Sequence, residues 1–505
     1  MADRRNSVRS LFKGLAGALA AGALLMGGGV AEADTSPPSE PAIDWKPCPD
    51  HERAECGTLR LPVDWSRPEG ETFDLAVARR KATDPDRRVG VLMVNPGGPG
   101  DSGVNYTLTR AEAQLSAELR SRFDIVGFDP RGVGGSRPVM CSKKLLGEQP
   151  SVYPRDQKEF ERLAAYNREL REDCRRHSGP IFDHADTLSV VHDMEALRKA
   201  LGERKINYFG HSYGTLIGEQ YAELYGDRIR AMSLTANIDH SITGAREFLV
   251  SSATSAEDSW HQFVKWCDRA RSCALHGRDL PAVWDELLER ADRGEIRDPE
   301  TPGRTLGALE ISLRVFKMFY GPDWARAATF VARLDAQRPE TRPAASGPAE
   351  TPETGQPLEA QPLFAVFCQD WRFRPRDHRE FARLTAAERQ AGAHMRGSPR
   401  VHAALAGCVG WPERVNNPQH DLRVAKAPKL LMMHSRHDPA NPLSWAAEVR
   451  RQTRGKAALL TYEGAGHRVY DRSDCTRDAM DGYLVALKVP RDGSHCPAAD
   501  PAAGD

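Results

Sequence analysis

Ile206-Asn207-Tyr208-Phe209-Gly210-His211-Ser212-Tyr213-Gly214-Thr215 reads as an apolar strand that runs into a Gly-x-Ser-x-Gly turn. Glycines two residues before and two after Ser212 let the backbone turn sharply from strand to helix. That leaves a serine hydroxyl standing clear at the carboxyl end of a sheet, where it is a candidate nucleophile. The same pentapeptide can arise by chance in a glycine-rich chain, so its meaning depends on its surroundings.

Outward from this turn, short apolar runs at 73–78, 89–94, 123–128 and 229–234 alternate with helical patterns. Such alternation predicts a mostly parallel sheet. Residues 186–201 carry Leu188, Val191, Met194, Leu197 and Leu201 at helical spacing, which predicts a helix beside the Ser212 strand. A second helix is expected over 216–225. From about Ser241 the texture becomes helical, charged and dotted with Trp, with no clear strand until 429–434. This stretch, 241–420, is expected to be an inserted, mainly helical cap domain. Within it 338–361 is rich in Pro, Ala, Glu and Thr, and reads as a mobile loop. The sheet then resumes at 429–434 and 457–462. The expected fold class is α/β, with one core built from 34–240 and 421–505 and interrupted by the cap.

A serine hydroxyl is a poor nucleophile at neutral pH. It needs an imidazole to take its proton and a carboxylate to fix the tautomer of that imidazole. Asp438 follows the 429–434 strand in His434-Ser435-Arg436-His437-Asp438-Pro439, and His467 follows the 457–462 strand in Gly464-Ala465-Gly466-His467. The chain order Ser, Asp, His is that of α/β-hydrolases. His211 and His437 adjoin these residues, but their side chains should leave the turns in other directions. His434 and His495 read as hydrogen-bonded or surface histidines, and Asp471 and Asp474 as weaker rivals to Asp438. Asn95-Pro96-Gly97-Gly98-Pro99-Gly100 follows another apolar strand, and its glycines allow backbone N–H groups to approach a substrate oxygen. The expected oxyanion donors are the N–H of Gly98, with Gly97 as the alternative, and the N–H of Tyr213.

Composition narrows the class. The 70 acidic and 70 basic residues cancel, with no long run of either sign, so nothing marks a nucleic-acid or membrane surface. Arg4, Arg5, Arg9 and Lys13 precede an Ala/Gly/Leu-rich run that ends in Ala31-Glu32-Ala33. Residues 1–33 read as a secretory signal, by either the general or the twin-arginine route, with an uncleaved anchor as the alternative. All ten cysteines lie beyond it, an even number that suits five disulfides in an exported protein. Pairing in sequence order would close local loops, and the spacings do not supply a zinc site.

These residues resemble the secreted tripeptidyl aminopeptidases of actinomycetes, α/β-hydrolase-fold serine exopeptidases related to the prolyl aminopeptidases. The resemblance rests on Leu61-Pro62-Val63-Asp64-Trp65, Asn95 to Gly103, Phe128-Asp129-Pro130-Arg131-Gly132, the Ser212 turn and the Cys475 to Cys496 tail. It implies that the cap closes over a peptide whose free α-amine meets an acidic group. Asp370, in Phe367-Cys368-Gln369-Asp370-Trp371, is the candidate, with a solvated surface acid as the alternative reading. It also implies peptide or protein substrates with a free amino terminus and no metal or organic cofactor. Three positions depart from the family pattern: Asn441 stands where Thr is usual, Arg468 follows His467 in place of Gly, and Thr235-Ala236 replaces Asp-Gly. The competing readings are a secreted carboxylesterase with the same triad and a catalytically silent binding protein.

Overall fold

The structure, a computed structural model, describes residues 43–301, 303–337 and 357–499. The expected signal at 1–33 lies outside the described residues, as does 338–356 of the expected loop. No described helix is long and apolar enough to cross a membrane.

The strands are β1 (Lys46–Cys48), β2 (His51–Pro62), β3 (Thr72–Arg80), β4 (Gly90–Asn95), β5 (Phe123–Phe128), β6 (Met140–Ser142), β7 (Ile206–His211), β8 (Ile229–Thr235), β9 (Leu358–Ala360), β10 (Leu430–His437), β11 (Ala457–Ala465) and β12 (Ser494–Cys496). Ten of them form one twisted sheet in the order β1-β2-β3-β5-β4-β7-β8-β10-β11-β12. The β1-β2, β2-β3 and β3-β5 pairs are antiparallel, and every pair from β5 to β12 is parallel. Every residue of β4 and β5 is buried, as parallel strands covered on both faces require. Their alternate side chains feed two cores. Val91, Met93, Val126 and Phe128 pack on one face, and Leu92, Val94, Phe123 and Ile125 on the other.

Helix Thr187–Ala200 is capped by Asp186, whose carboxylate accepts from the Ser189 N–H at 2.9 Å, and it packs beside helix Tyr213–Tyr225. Between β8 and β10 the chain builds helices Ala245–Arg269, Leu280–Asp292, Ala308–Met318, Trp324–Asp335, Pro362–Asp370, His378–Ala391 and Pro399–Gly407. This insertion has an apolar centre of its own around Trp260, Phe263, Trp284, Ile311 and Phe316. One expectation needs correction. The stretch 338–361 is not loop to its end, because Leu358–Ala360 pairs antiparallel with Met140–Ser142. That three-residue strand is too short to leave a period-two pattern.

Five disulfides pair the cysteines in sequence order: Cys48–Cys56, Cys141–Cys174, Cys267–Cys273, Cys368–Cys408 and Cys475–Cys496. Cys368–Cys408 joins helix Pro362–Asp370 to the end of helix Pro399–Gly407. The buried Arg131 guanidinium makes a two-pronged ion pair with Asp193, at 2.7 and 2.6 Å, and also bonds the carbonyl of Val63 at 2.6 Å. It thereby fixes the turn after β5 to the helix beside the Ser212 strand.

Candidate active site

Ser212 sits at the end of β7 with φ +55° and ψ −121°, a conformation that costs a non-glycine residue roughly 1–3 kcal/mol. Its neighbours hold it there. The Ser212 N–H donates to the Thr235 carbonyl at 2.9 Å, and Thr215 returns bonds to the Ser212 carbonyl from its N–H and its hydroxyl at 2.8 and 2.7 Å. A Cβ at Gly210 would lie 2.4 Å from the Gly214 carbonyl oxygen, and one at Gly214 would lie 2.8 Å from that of Asn95. Both glycines are therefore required by close backbone approach.

Asp438 and His467 meet where the parallel strands β10 and β11 end side by side. His467 Nδ1 is 2.9 Å from each oxygen of the fully buried Asp438 carboxylate. Asp438 Oδ1 also accepts from the N–H groups of Ala440 and Asn441, at 2.8 and 3.0 Å. Burial alone would raise the Asp438 carboxyl. The adjacent His467 and His434 rings and the Asn441 N–H outweigh it and hold the group below the ordinary carboxylate range. His467 lines the same cavity as Ser212, and its ring lies 4.7 Å from those of both His211 and Tyr320.

The rival residues are occupied elsewhere. His434 accepts from the Asn237 N–H at Nδ1 (3.2 Å) and meets the Asn441 carbonyl through Nε2 at 2.9 Å, which fixes it as the neutral Nε2–H tautomer. His437 pairs with Asp258 at 2.6 Å, and His495 with Glu463 at 2.6 Å. Asp471 faces Arg468 at 3.6 Å, and Asp474 faces Arg477 at 2.9 Å. His211 turns its Nδ1 to Thr235 Oγ1 at 3.0 Å, and burial depresses its basicity well below the usual histidine range.

Two cavities flank Ser212. The larger, of about 330 Å³, mixes charged and polar groups (His467, Arg468, Asp101, Arg110) with apolar ones such as Tyr106, Phe209 and Val469. The smaller, of about 90 Å³, is lined by Ser212 and Tyr213 and otherwise mainly by apolar side chains such as Phe248, Phe316, Val366 and Trp445. Asp370 also lines the smaller cavity. It is buried, accepting from the Thr187 N–H and the Asn417 amide at 2.9 Å each and from the Thr187 hydroxyl at 2.6 Å. Three of its roughly four acceptor positions are thus filled. Burial, aided by the nearby Asp186 charge, pushes its carboxyl up to about 7. At 1% exposure Asp370 is not a solvated surface acid, and no ion pair involving it is found among the described residues.

Several residues at the site carry no sequence signal. Helix Ala245–Arg269 holds the acid turn from one face: the Ser255 hydroxyl donates to the Asp438 carbonyl at 2.5 Å, Ser259 to the His437 carbonyl at 3.3 Å, and Asp258 takes His437 itself. The Tyr320 carbonyl accepts the His467 N–H at 3.1 Å. Two of the three departures from the family pattern touch each other, since the Asn441 amide donates to the Ala236 carbonyl at 2.7 Å. Outside the site, Glu257, His261 and His394 are grouped closely enough to hold a metal ion. The Glu257 carboxylate there already serves the His394 ring and the N–H groups of His394 and Met395.

Residues 90–339 match the family model described as alpha/beta hydrolase fold, and residues 394–496 match that of TAP-like protein. The serine protease Hip1 of Mycobacterium tuberculosis is 28% identical over 487 residues, covering 90% of this chain and 91% of the relative. The tripeptidyl aminopeptidase of Streptomyces lividans is 28% identical over 485 residues, covering 91% and 87%. A carboxylesterase B of Mycobacterium tuberculosis is 29% identical over 500 residues, covering 93% and 92%.

Proposed function

From the premise that this chain belongs to the α/β-hydrolase fold family and is a serine hydrolase, we propose that it is an exported exopeptidase. In this reading it releases short peptides, tripeptides in the first instance, from free amino termini. Ser212 is the nucleophile, His467 the general base and Asp438 the group that holds the His467 Nδ1–H. The serine oxygen attacks the scissile carbonyl as His467 takes its proton. The resulting oxyanion is met by the N–H groups of Gly98 and Tyr213. His467 then protonates the departing amine as the C–N bond breaks, and an activated water releases the acyl group.

Peptidase and esterase relatives match at nearly equal identity, so likeness alone does not choose between them. The observation that carries the peptidase reading is Asp370. A buried carboxylate without a cation, sharing an apolar cavity with Ser212, rewards an ammonium group and penalises a chain that continues past it. The same cavity favours apolar residues next to that amine. The larger cavity beyond His467, bearing Arg110 and Arg468, is the leaving-group side. The small size of the apolar cavity supports the second reading, a carboxylesterase with short acyl groups. Five disulfides and the basic-then-apolar start of the chain support export.

Hydrolysis of Ala-Pro-Ala-p-nitroanilide is to be compared with its amino-acetylated twin, alanine p-nitroanilide and p-nitrophenyl butyrate. Cleavage of the free tripeptide alone among the anilides is expected. Ester turnover with all three anilides intact would leave the esterase reading standing and remove the peptidase.

A further inference from the structure

The backbone groups of the Asn95–Gly98 turn can be accounted for one by one. The Gly97 N–H donates to the Asn95 side-chain oxygen at 3.0 Å, and the Gly98 carbonyl accepts from Arg400 Nη2 at 2.8 Å. The Gly98 N–H has no protein acceptor among the described residues. It lies between two held groups, in a turn where a Cβ on Gly97 would come within 2.9 Å of Ser212 Cβ. The turn is intrinsically soft. Gly97 and Gly98 have φ +105° and +112°, and two successive glycines offer little resistance to rotating the peptide away. Arg400 belongs to helix Pro399–Gly407 of the insertion and lines both cavities beside Ser212. Its guanidinium also lies close to the Tyr320 phenol, and the Tyr320 carbonyl holds the His467 N–H.

We propose that Arg400 is a positioning residue for the reaction: by holding the Gly98 carbonyl from the insertion it fixes the far side of Gly98, so that the adjoining Gly97–Gly98 peptide keeps its N–H aimed at the oxyanion. The assignment rests on the nucleophile and oxyanion roles proposed above, but not on the choice between peptide and ester. A planar guanidinium can hold the Gly98 carbonyl while lying against Tyr320, whereas an ammonium is a compact point charge on a flexible stem. Through Arg400 and Tyr320 the insertion touches both the oxyanion turn and the base. The active geometry is thereby completed only when insertion and core are in contact.

The test uses Arg400→Ala, Arg400→Gln and Arg400→Lys in the full chain. Each is assayed on p-nitrophenyl butyrate and on Ala-Pro-Ala-p-nitroanilide, alongside binding of butylboronic acid and a thermal melt. Full loss of an oxyanion donor costs on the order of 10²–10³ in kcat, so loosening one is expected to lower kcat about 10- to 100-fold. KM should change less than about threefold, and boronate affinity should fall by a factor comparable to kcat/KM. Lys should retain more kcat than Ala or Gln, and added methylguanidinium should restore part of the kcat of Arg400→Ala. Unchanged kcat would overturn the proposal. So would a raised KM at constant kcat, or a kcat loss with unchanged boronate affinity. If Arg400→Ala does not fold, the same readings on Arg400→Lys decide. Ester turnover serves even if no peptide is cleaved, and ester turnover persisting in Ser212→Ala would instead refute the underlying nucleophile assignment.

Discussion

Around Ser212 the contacts that set the site run between strands adjacent in the sheet: Ser212 to Thr235, Asn441 to Ala236, and Asp438 to His467 across the ends of β10 and β11. In the insertion the contributing side chains are scattered. Ser255, Asp258, Tyr320, Asp370 and Arg400 come from four separate helices or the turns after them, and each reaches the site through packing. The sheet side repeats one local rule, an apolar strand followed by a tight turn, at Gly98, Ser212, Asp438 and His467. The insertion side has no such rule, because its geometry is set by tertiary contact and by the Cys368–Cys408 bridge.

The largest effect that can break this division is on the sheet side. Ser212→Ala is expected to lower kcat by 10⁴-fold or more and to abolish fluorophosphonate labelling, with the thermal melt nearly unmoved. Residual turnover near that of the parent would show that the site lies elsewhere. On the insertion side, Cys368→Ser with Cys408→Ser should cost about 2–4 kcal/mol of stability in a denaturant titration. The parent's pattern of labelling at Ser212 should survive wherever the variant is folded. A variant that folds yet does not label would mean that the bridge acts on the sheet-side machinery as well.

Smaller effects sharpen the boundary. Ser255→Ala with Ser259→Ala removes two bonds to the acid turn. At about 1 kcal/mol each, kcat should fall several-fold up to about 30-fold, with KM nearly constant. No change would confine the acid's support to β10 and its own turn. The smallest effect should be a gain. Ala236 holds φ +60° with no glycine's freedom, so Ala236→Gly should stabilise the fold by up to about 1 kcal/mol in the melt. A loss there would mean that the Ala236 methyl packs more than its backbone strains.

This contrast also explains what the sequence disclosed. The strands at 123–128, 206–211 and 457–462 were legible because buried parallel strands are continuous apolar runs between turn residues, and the antiparallel strand at 73–78 because Phe73, Leu75 and Val77 alternate with more exposed residues; the structure extends these strands by a few residues at most. The Ser212, Asp438 and His467 turns were legible because each follows such a run. The pairing of Asp438 with His467, and the sharing of a cavity by His467 and Ser212, are what the structure adds. The short strands β6, β9 and β12 were not legible, since three residues cannot show a period. Tyr320 and Arg400 look like ordinary helix-end and helix-start residues, and only the fold brings them to the Gly98 turn. Asp370 became visible through the resemblance, and its complete burial was the reverse of the surface acid that its charge suggested.

Asp370 also gives the most direct test of the central claim, that this serine hydrolase selects a free amino terminus. Burial, with the nearby Asp186 charge, raises the folded carboxyl to about 7 from an ordinary 3.8. Its contribution to stability is therefore complete below about pH 4 and is lost as pH rises toward 7, whereas in the folded protein the charge that can bind an ammonium appears only around pH 7. The decisive measurement is kcat/KM for Ala-Pro-Ala-p-nitroanilide divided by that for its acetylated twin, between pH 6 and 7.5, in the parent and in Asp370→Asn. The account predicts a ratio that climbs with pH in the parent and falls about 10- to 100-fold in Asp370→Asn, where it should no longer depend on pH. An equal ratio in the two proteins, unmoved by pH, would contradict it.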